Sequence, residues 1–371
     1  MLAAAALVAC DEDATPIDAG ADVTVDAPFD VTEEPDAEAA VPDASEAEAE
    51  VEAGIPCGID SVWTAALPQD LACTGLYTDF QNKVTDPAAL SYTPGVVLWS
   101  DGATKSRWLY LPPNSKIDDS NMDEWVFPVG TKVWKEFQIG GKRVETRLYE
   151  KADTSFWLWT TYQWASDESS ATANDNGATN VVGTYEIPDH GKCDECHTGR
   201  GDKLMGVEAI ALALPNAQGV TLDWLAKNGK LTVVPASTTA TLPEDSTGKA
   251  AAALGELHIG CGVSCHNRNV FAFGNSSGFY ARLPAADVLA GTAQVTSLDT
   301  YVTTVNVAPT TGGYSSYASQ GYKRILPGDS TKSLLVTVTG ERGTGQMPPI
   351  VTHVVDTTSV QNLTDWVNAL P

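Results

Sequence analysis

Between residues 96 and 188 apolar and polar positions alternate. In KVWKEFQI (132–139), Val133, Phe137 and Ile139 fall on one face. In RVETRLYE (143–150), Val144, Thr146 and Leu148 alternate with Arg143, Glu145 and Arg147. In FWLWTTYQW (156–164), Phe156, Leu158, Thr160, Tyr162 and Trp164 share a face, with Trp157 and Trp159 opposite. A period of two marks strands, and Gly140-Gly141 is a two-residue hairpin signal. The pattern predicts three consecutive antiparallel strands, with a further one in LWSDGATKSRWLYLPP (98–113). This is a sandwich-like β-rich domain over residues 55–190.

After residue 190 the period becomes helical. VTLDWLAKNG (220–229) reads as a helix with Thr221 as its N-cap and Gly229 as its stop. KAAAALGELH (249–258) is a second helix, running straight into HIGCGVSCH. A third occupies SVQNLTDWVNALP, where Val360, Leu363, Val367 and Leu370 form the apolar stripe with Trp366 beside them. The fold class is therefore α+β, an antiparallel β-sandwich-like domain followed by a mainly α-helical region.

Composition changes the picture at one end only. The chain has 371 residues and a formal charge of −26, but residues 11–54 hold sixteen of the 48 acidic residues and no Lys or Arg. With few aromatics and no period, that segment predicts a disordered acidic tether. No basic patch or nucleic-acid motif is present, which argues against a nucleic-acid partner. Tryptophans crowd the β-rich part, where sheet packing explains them better than a sugar-binding platform does. Residues Ser100 to Ser106 lack phosphate-loop spacing.

The N-terminus reads MLAAAALVACDED. Leu7-Val8-Ala9-Cys10 resembles a bacterial lipobox at the end of an apolar run shorter than a full signal peptide, as if translation started upstream. The expectation is an exported chain lipidated at Cys10 and anchored to the bilayer of the cell envelope, facing the periplasm or the surface. The seven cysteines divide accordingly into Cys10, the close pairs Cys193/Cys196 and Cys261/Cys265, and Cys57/Cys73. In an oxidising compartment Cys57 and Cys73 suit a disulfide, with two free thiols as the alternative.

Cys193-Asp194-Glu195-Cys196-His197 is C-x-x-C-H. Two thiols at this spacing add to the vinyl groups of haem, and the adjoining His197 supplies an axial imidazole. A thioredoxin-type redox pair would need a strand-to-helix context, which is not evident here. Cys261-Gly262-Val263-Ser264-Cys265-His266 has the same ending and one residue too many between the cysteines. A second haem c with His266 on its iron and a plain Cys261–Cys265 disulfide are both open on spacing alone. Residues 249–371 resemble a small monohaem cytochrome c domain. A helix enters the attachment site, Met347 precedes Pro348 and Pro349 on a downstream loop, and an amphipathic helix closes the chain. The resemblance implies that Met347 is the distal ligand of the second haem. For the first haem Met205 is the leading distal candidate, with His190, His258, His353 or an open position as alternatives.

Taken together, LWSDGATKSRWLYLPP, FPVGTKVWKEFQI, RVETRLYE, WTTYQW, IPDHGKCDECH, LHIGCGVSCHN and QMPP resemble an exported bacterial dihaem c-type cytochrome family. Its members place a β-rich region before a first C-x-x-C-H and end in a cytochrome c domain. The match covers residues 57–371 and departs from the family pattern at Cys261–Cys265. It implies a first haem segment at 191–248, a cytochrome c-like domain at 249–371, two haem c groups and electron transfer to a redox partner protein. Two other readings stand beside it. One is a haem-dependent oxidoreductase, peroxidase-like, with an open site at the first haem. The other is an exported protein whose four paired cysteines hold zinc.

Overall fold

The computed structural model of the protein describes residues 57–310 and 312–371; Cys10 and the acidic segment 11–54 lie outside them. A short ribbon, β1 (Tyr77–Asp79) and β2 (Val84–Thr85), precedes the main sheet. That sheet contains β3 (Leu90–Thr93), β4 (Thr104–Tyr110), β5 (Lys132–Ile139), β6 (Lys142–Lys151), β7 (Trp157–Trp164), β8 (Ala171–Ala173) and β9 (Gln218–Gly219). The spatial order is β8-β7-β6-β5-β4-β3-β9, and every neighbouring pair is antiparallel. Gly140 and Gly141 join β5 to β6 with φ of 58° and 79°. Two successive left-handed residues make the hairpin turn whose twist matches its strands.

The strands expected from alternation are present. Among the described residues they form one seven-stranded antiparallel sheet beside the two-stranded ribbon. One face, with Tyr110, Trp134, Leu148, Tyr162 and Trp164, packs on Trp63, Leu67, Leu71 and Leu76 of the preceding segment. Cys57 and Cys73 are disulfide-bonded within that segment. The other face presents Leu109, Val133, Tyr149 and Trp157 to the helices. The central strands bury large side chains on both faces, as with Trp134 against Val133, so neither face is left for water.

The helices are α1 (His190–His197), α2 (Ala209–Ala213), α3 (Leu222–Lys227), α4 (Ala250–Leu257), α5 (Ala285–Ala290), α6 (Asp299–Val302), α7 (Ser315–Ser319), α8 (Leu334–Gly340) and α9 (Thr357–Ala369). Thr221 caps α3 as expected, accepting from the Trp224 amide at 3.1 Å. Asp356 caps α9 in the same way, at Thr358 and Ser359. α9 packs against α4, and Leu254, Leu257, Leu363, Trp366 and Val367 share a core with Leu109, Val133 and Tyr149 of the sheet. The described residues form one compact unit. Among the described residues, no helix is long and apolar enough to cross a membrane.

Candidate functional site

The second motif begins where α4 ends. From His258 to Gly262 the chain makes a π-helical turn. The Val263 amide donates to the His258 carbonyl at 2.8 Å, and the His266 amide to the Cys261 carbonyl at 2.7 Å. Both bonds span five residues. A π turn is how a helix accommodates one inserted residue. The extra residue of C-x-x-x-C-H is taken up in the backbone, and His266 is hydrogen-bonded back to the first cysteine of its motif.

Cys261, Cys265 and His266 line a cavity of about 380 Å³. Its walls include Leu257, Ile259, Phe279, Leu335, Val338 and Leu363, and Met347 lines it as well. That size falls within the ~300–1,000 Å³ of ordinary cofactor pockets. His266 Nδ1 lies 3.2 Å from Ser277 Oγ. The Ser277 hydroxyl gives its own proton to the Gly274 carbonyl at 2.6 Å, so toward His266 it accepts. Nδ1 must then carry the proton, and the Nε2 lone pair is free for a metal. Burial pushes the imidazole down to about 4, so it is neutral at physiological pH. Gly274 allows this fit: a Cβ there would stand 2.6 Å from the His266 ring.

The Met347 loop is braced from both sides. Its amide donates to the Val338 carbonyl of α8 at 2.7 Å. The Gln346 amide group donates to the Pro348 and Thr352 carbonyls at 2.9 and 2.8 Å, and Gln346 Oε1 accepts from the Gly343 amide at 2.7 Å. Sequence reasoning missed Arg342 and Glu256, which also line this cavity. Arg342 Nε is buried without a hydrogen-bond partner. Glu256 is pushed up to about 7 by burial, with repulsion from Asp356 adding to it.

The first motif is α1 itself, capped by Asp189, which accepts from the Lys192 amide at 3.1 Å. His190, Cys193 and His197 fall at i, i+3 and i+7, one face of the helix, turned toward the sheet. His197 stacks on Tyr149 with ring centres 4.3 Å apart, and His190 on Trp159 at 4.8 Å. Tyr149 and Trp159 are register partners on β6 and β7. His197 Nδ1 lies 2.6 Å from the Lys203 carbonyl, which can only accept, so His197 holds the same tautomer as His266. Burial again pushes this imidazole down to about 4. Here, however, the neighbouring cleft along Trp159, Thr160, Asp175, Pro188, His190 and Cys193 holds no water-sized space.

The other distal candidates are placed as follows. Met205 follows by two residues Lys203, whose carbonyl holds His197 at Nδ1. His258 is buried in the π turn; its Nδ1 accepts from the Leu283 amide at 3.0 Å and its Nε2 is 3.6 Å from Glu208. His353 Nε2 lies 2.8 Å from Glu186. The Cys196 and Cys265 thiols meet each other, which lowers the pKa of Cys265 and raises that of Cys196. A Cβ at Gly199 would stand 1.5 Å from the Ser264 carbonyl oxygen, so only glycine lets the two motifs approach this closely. Cys193, Cys196, Cys261 and Cys265 are all free thiols. Among the described residues no three His, Cys, Asp or Glu side chains are grouped to hold a metal ion. Compared with family models, curated proteins and solved structures, the chain matches none.

Proposed function

We propose that this chain is a dihaem c-type cytochrome that carries electrons in the cell envelope, tethered to lipid through Cys10. One observation carries the reading. Cys261, Cys265, His266 and the distant Met347 line a single apolar cavity of about 380 Å³. The residues suit haem at that site: two thiols, an imidazole fixed as the right tautomer, a thioether, and apolar walls. Bound there, haem supplies an iron that exchanges single electrons. Cys261 and Cys265 would anchor it, His266 would ligate through Nε2, and Met347 would supply the other axial ligand. A thioether ligand and a largely apolar wall would raise the potential relative to a bis-histidine site. At the first motif Cys193, Cys196 and His197 supply the same donor set. The contact between Cys196 and Cys265 brings the two attachment points side by side, which suits electron exchange between the sites.

The alternative reading is a haem-dependent oxidoreductase whose first haem would keep an open coordination position. Carbon monoxide separates the two roles. In the reduced protein the second haem should refuse CO, and Met347→Ala should open it to CO and abolish the weak charge-transfer band of a methionine–iron bond. Survival of that band in Met347→Ala would assign the ligand elsewhere.

A further inference from the structure

The turn that precedes β4 reaches across to the Met347 loop. Val97, Leu98 and Trp99 line the same cavity as Met347, Pro348 and Pro349. At Asp101 the chain turns through a left-handed φ of 47°, followed by Gly102 at 77°. Asp is one of the few residues besides glycine that enter this region readily. The turn brings the Asp101 carboxylate to two backbone amides far downstream. Its oxygens accept from the His353 amide at 3.0 and 2.9 Å, and one accepts from the Val354 amide at 3.1 Å. Trp99 Nε1 donates to the Val354 carbonyl at 2.9 Å. One turn therefore holds both backbone polar groups of Val354.

His353 and Val354 belong to the chain between α8 and α9, which carries Met347. Near the methionine that loop is braced by the Met347 amide and by Gln346. Its far end is fastened from the sheet region, by Asp101, by Trp99, and by Glu186 through the His353 side chain at 2.8 Å. The Asp101 bonds are exposed, so water competes for them and their net contribution to stability is modest. Their effect is geometric. A carboxylate accepting from two successive amides makes charge-assisted, directional bonds, which fix the loop against the cavity wall. We propose that Asp101 is a positioning residue for the second site: by holding residues 353–354 to the wall that Trp99 forms, it keeps Met347 within reach of the iron. This rests on the haem reading above, and it adds a residue that neither cysteine motif contains.

The test uses the full chain matured in a host that attaches haem c. Mass analysis of the Cys261–Cys265 peptide reports haem at the second motif. In the oxidised protein, added imidazole competes with Met347 for the iron, and half-loss of the methionine–iron charge-transfer band reports the outcome. A loosened loop leaves the methionine off the iron more of the time, so less imidazole is needed. Asp101→Gly removes the carboxylate and suits the left-handed turn. It should lower the half-loss concentration roughly 10-fold, the low end of the cost of losing a partner that orients a ligand. Asp101→Asn keeps an acceptor oxygen and should restore most of the difference. Trp99→Phe deletes only the indole donor and should shift the value in the same direction, which keeps the test decisive if the glycine variant does not fold. A peptide without haem in the unaltered chain overturns the haem reading and this proposal with it. Haem present, with the half-loss concentration unmoved in Asp101→Gly and Trp99→Phe, overturns this proposal alone. A shift in Asp101→Ala that Asp101→Gly lacks assigns the effect to backbone strain at the turn and overturns it as well.

Discussion

The two cysteine motifs have the same chemistry and opposite preparation. At Cys261–His266 the backbone departs from the α-helix to take up an extra residue, and the side chains face a ready apolar cavity. At Cys193–His197 the spacing is regular, yet the helix lies flat on Tyr149 and Trp159 with no space beside Cys193 for even a water. Regular spacing thus goes with a closed site and irregular spacing with an open one. Spacing governs how the thiols are presented; the cavity is built by elements far away in sequence. α1 must lift from the sheet before a porphyrin can lie beside it, whereas the second site needs no such opening.

The largest consequence of this contrast concerns the haem-free chain. Titrated with haem under reducing conditions, it should take up one equivalent reversibly at the second motif and none at the first. Uptake at the first motif by a chain lacking Cys261 and Cys265 would erase the contrast. Next in size is Gly199→Ala. Its Cβ would collide with the Ser264 carbonyl, so we expect a loss of about 3 kcal/mol, at the upper end of overpacking costs, read by denaturant unfolding. A neutral result would mean that the motifs are not held together through this contact.

A smaller effect sharpens the second site alone. Ser277→Ala removes the acceptor that fixes the His266 tautomer, and haem affinity there should fall by roughly 10–100-fold, the usual cost of losing such a partner. The smallest is a pH effect. Glu256, raised to about 7 by burial, ionises as the pH passes neutrality and adds negative charge to the cavity wall. Negative charge favours ferric over ferrous iron, so the potential of the second haem should fall as pH rises through about 7. Glu256→Gln should flatten that slope while the first haem is unaffected.

Much of the fold was legible because period and capping are local. β4 to β7, the Gly140-Gly141 turn, Thr221 and the stripe of α9 all follow from neighbouring residues. What covers each face of the sheet was not legible, because Trp134 and Val133 are both apolar and a strand pattern does not say which element packs on either side. Cys261, Cys265, His266 and Met347 were named from motif and order, and the fold gathers them in one cavity. The π turn was written in the sequence only as an irregular spacing. Arg107 was hidden for a different reason: a polar residue in an alternating strand reads as facing water, yet it is buried.

The central claim is that both motifs hold haem covalently. Intact mass of the matured full chain, with a haem stain after denaturation, tests it directly. The account predicts two haems for the unaltered chain and one for Cys261→Ala. A count of zero in a host competent for attachment contradicts the account, and a count that Cys261→Ala leaves unchanged removes the second site from it.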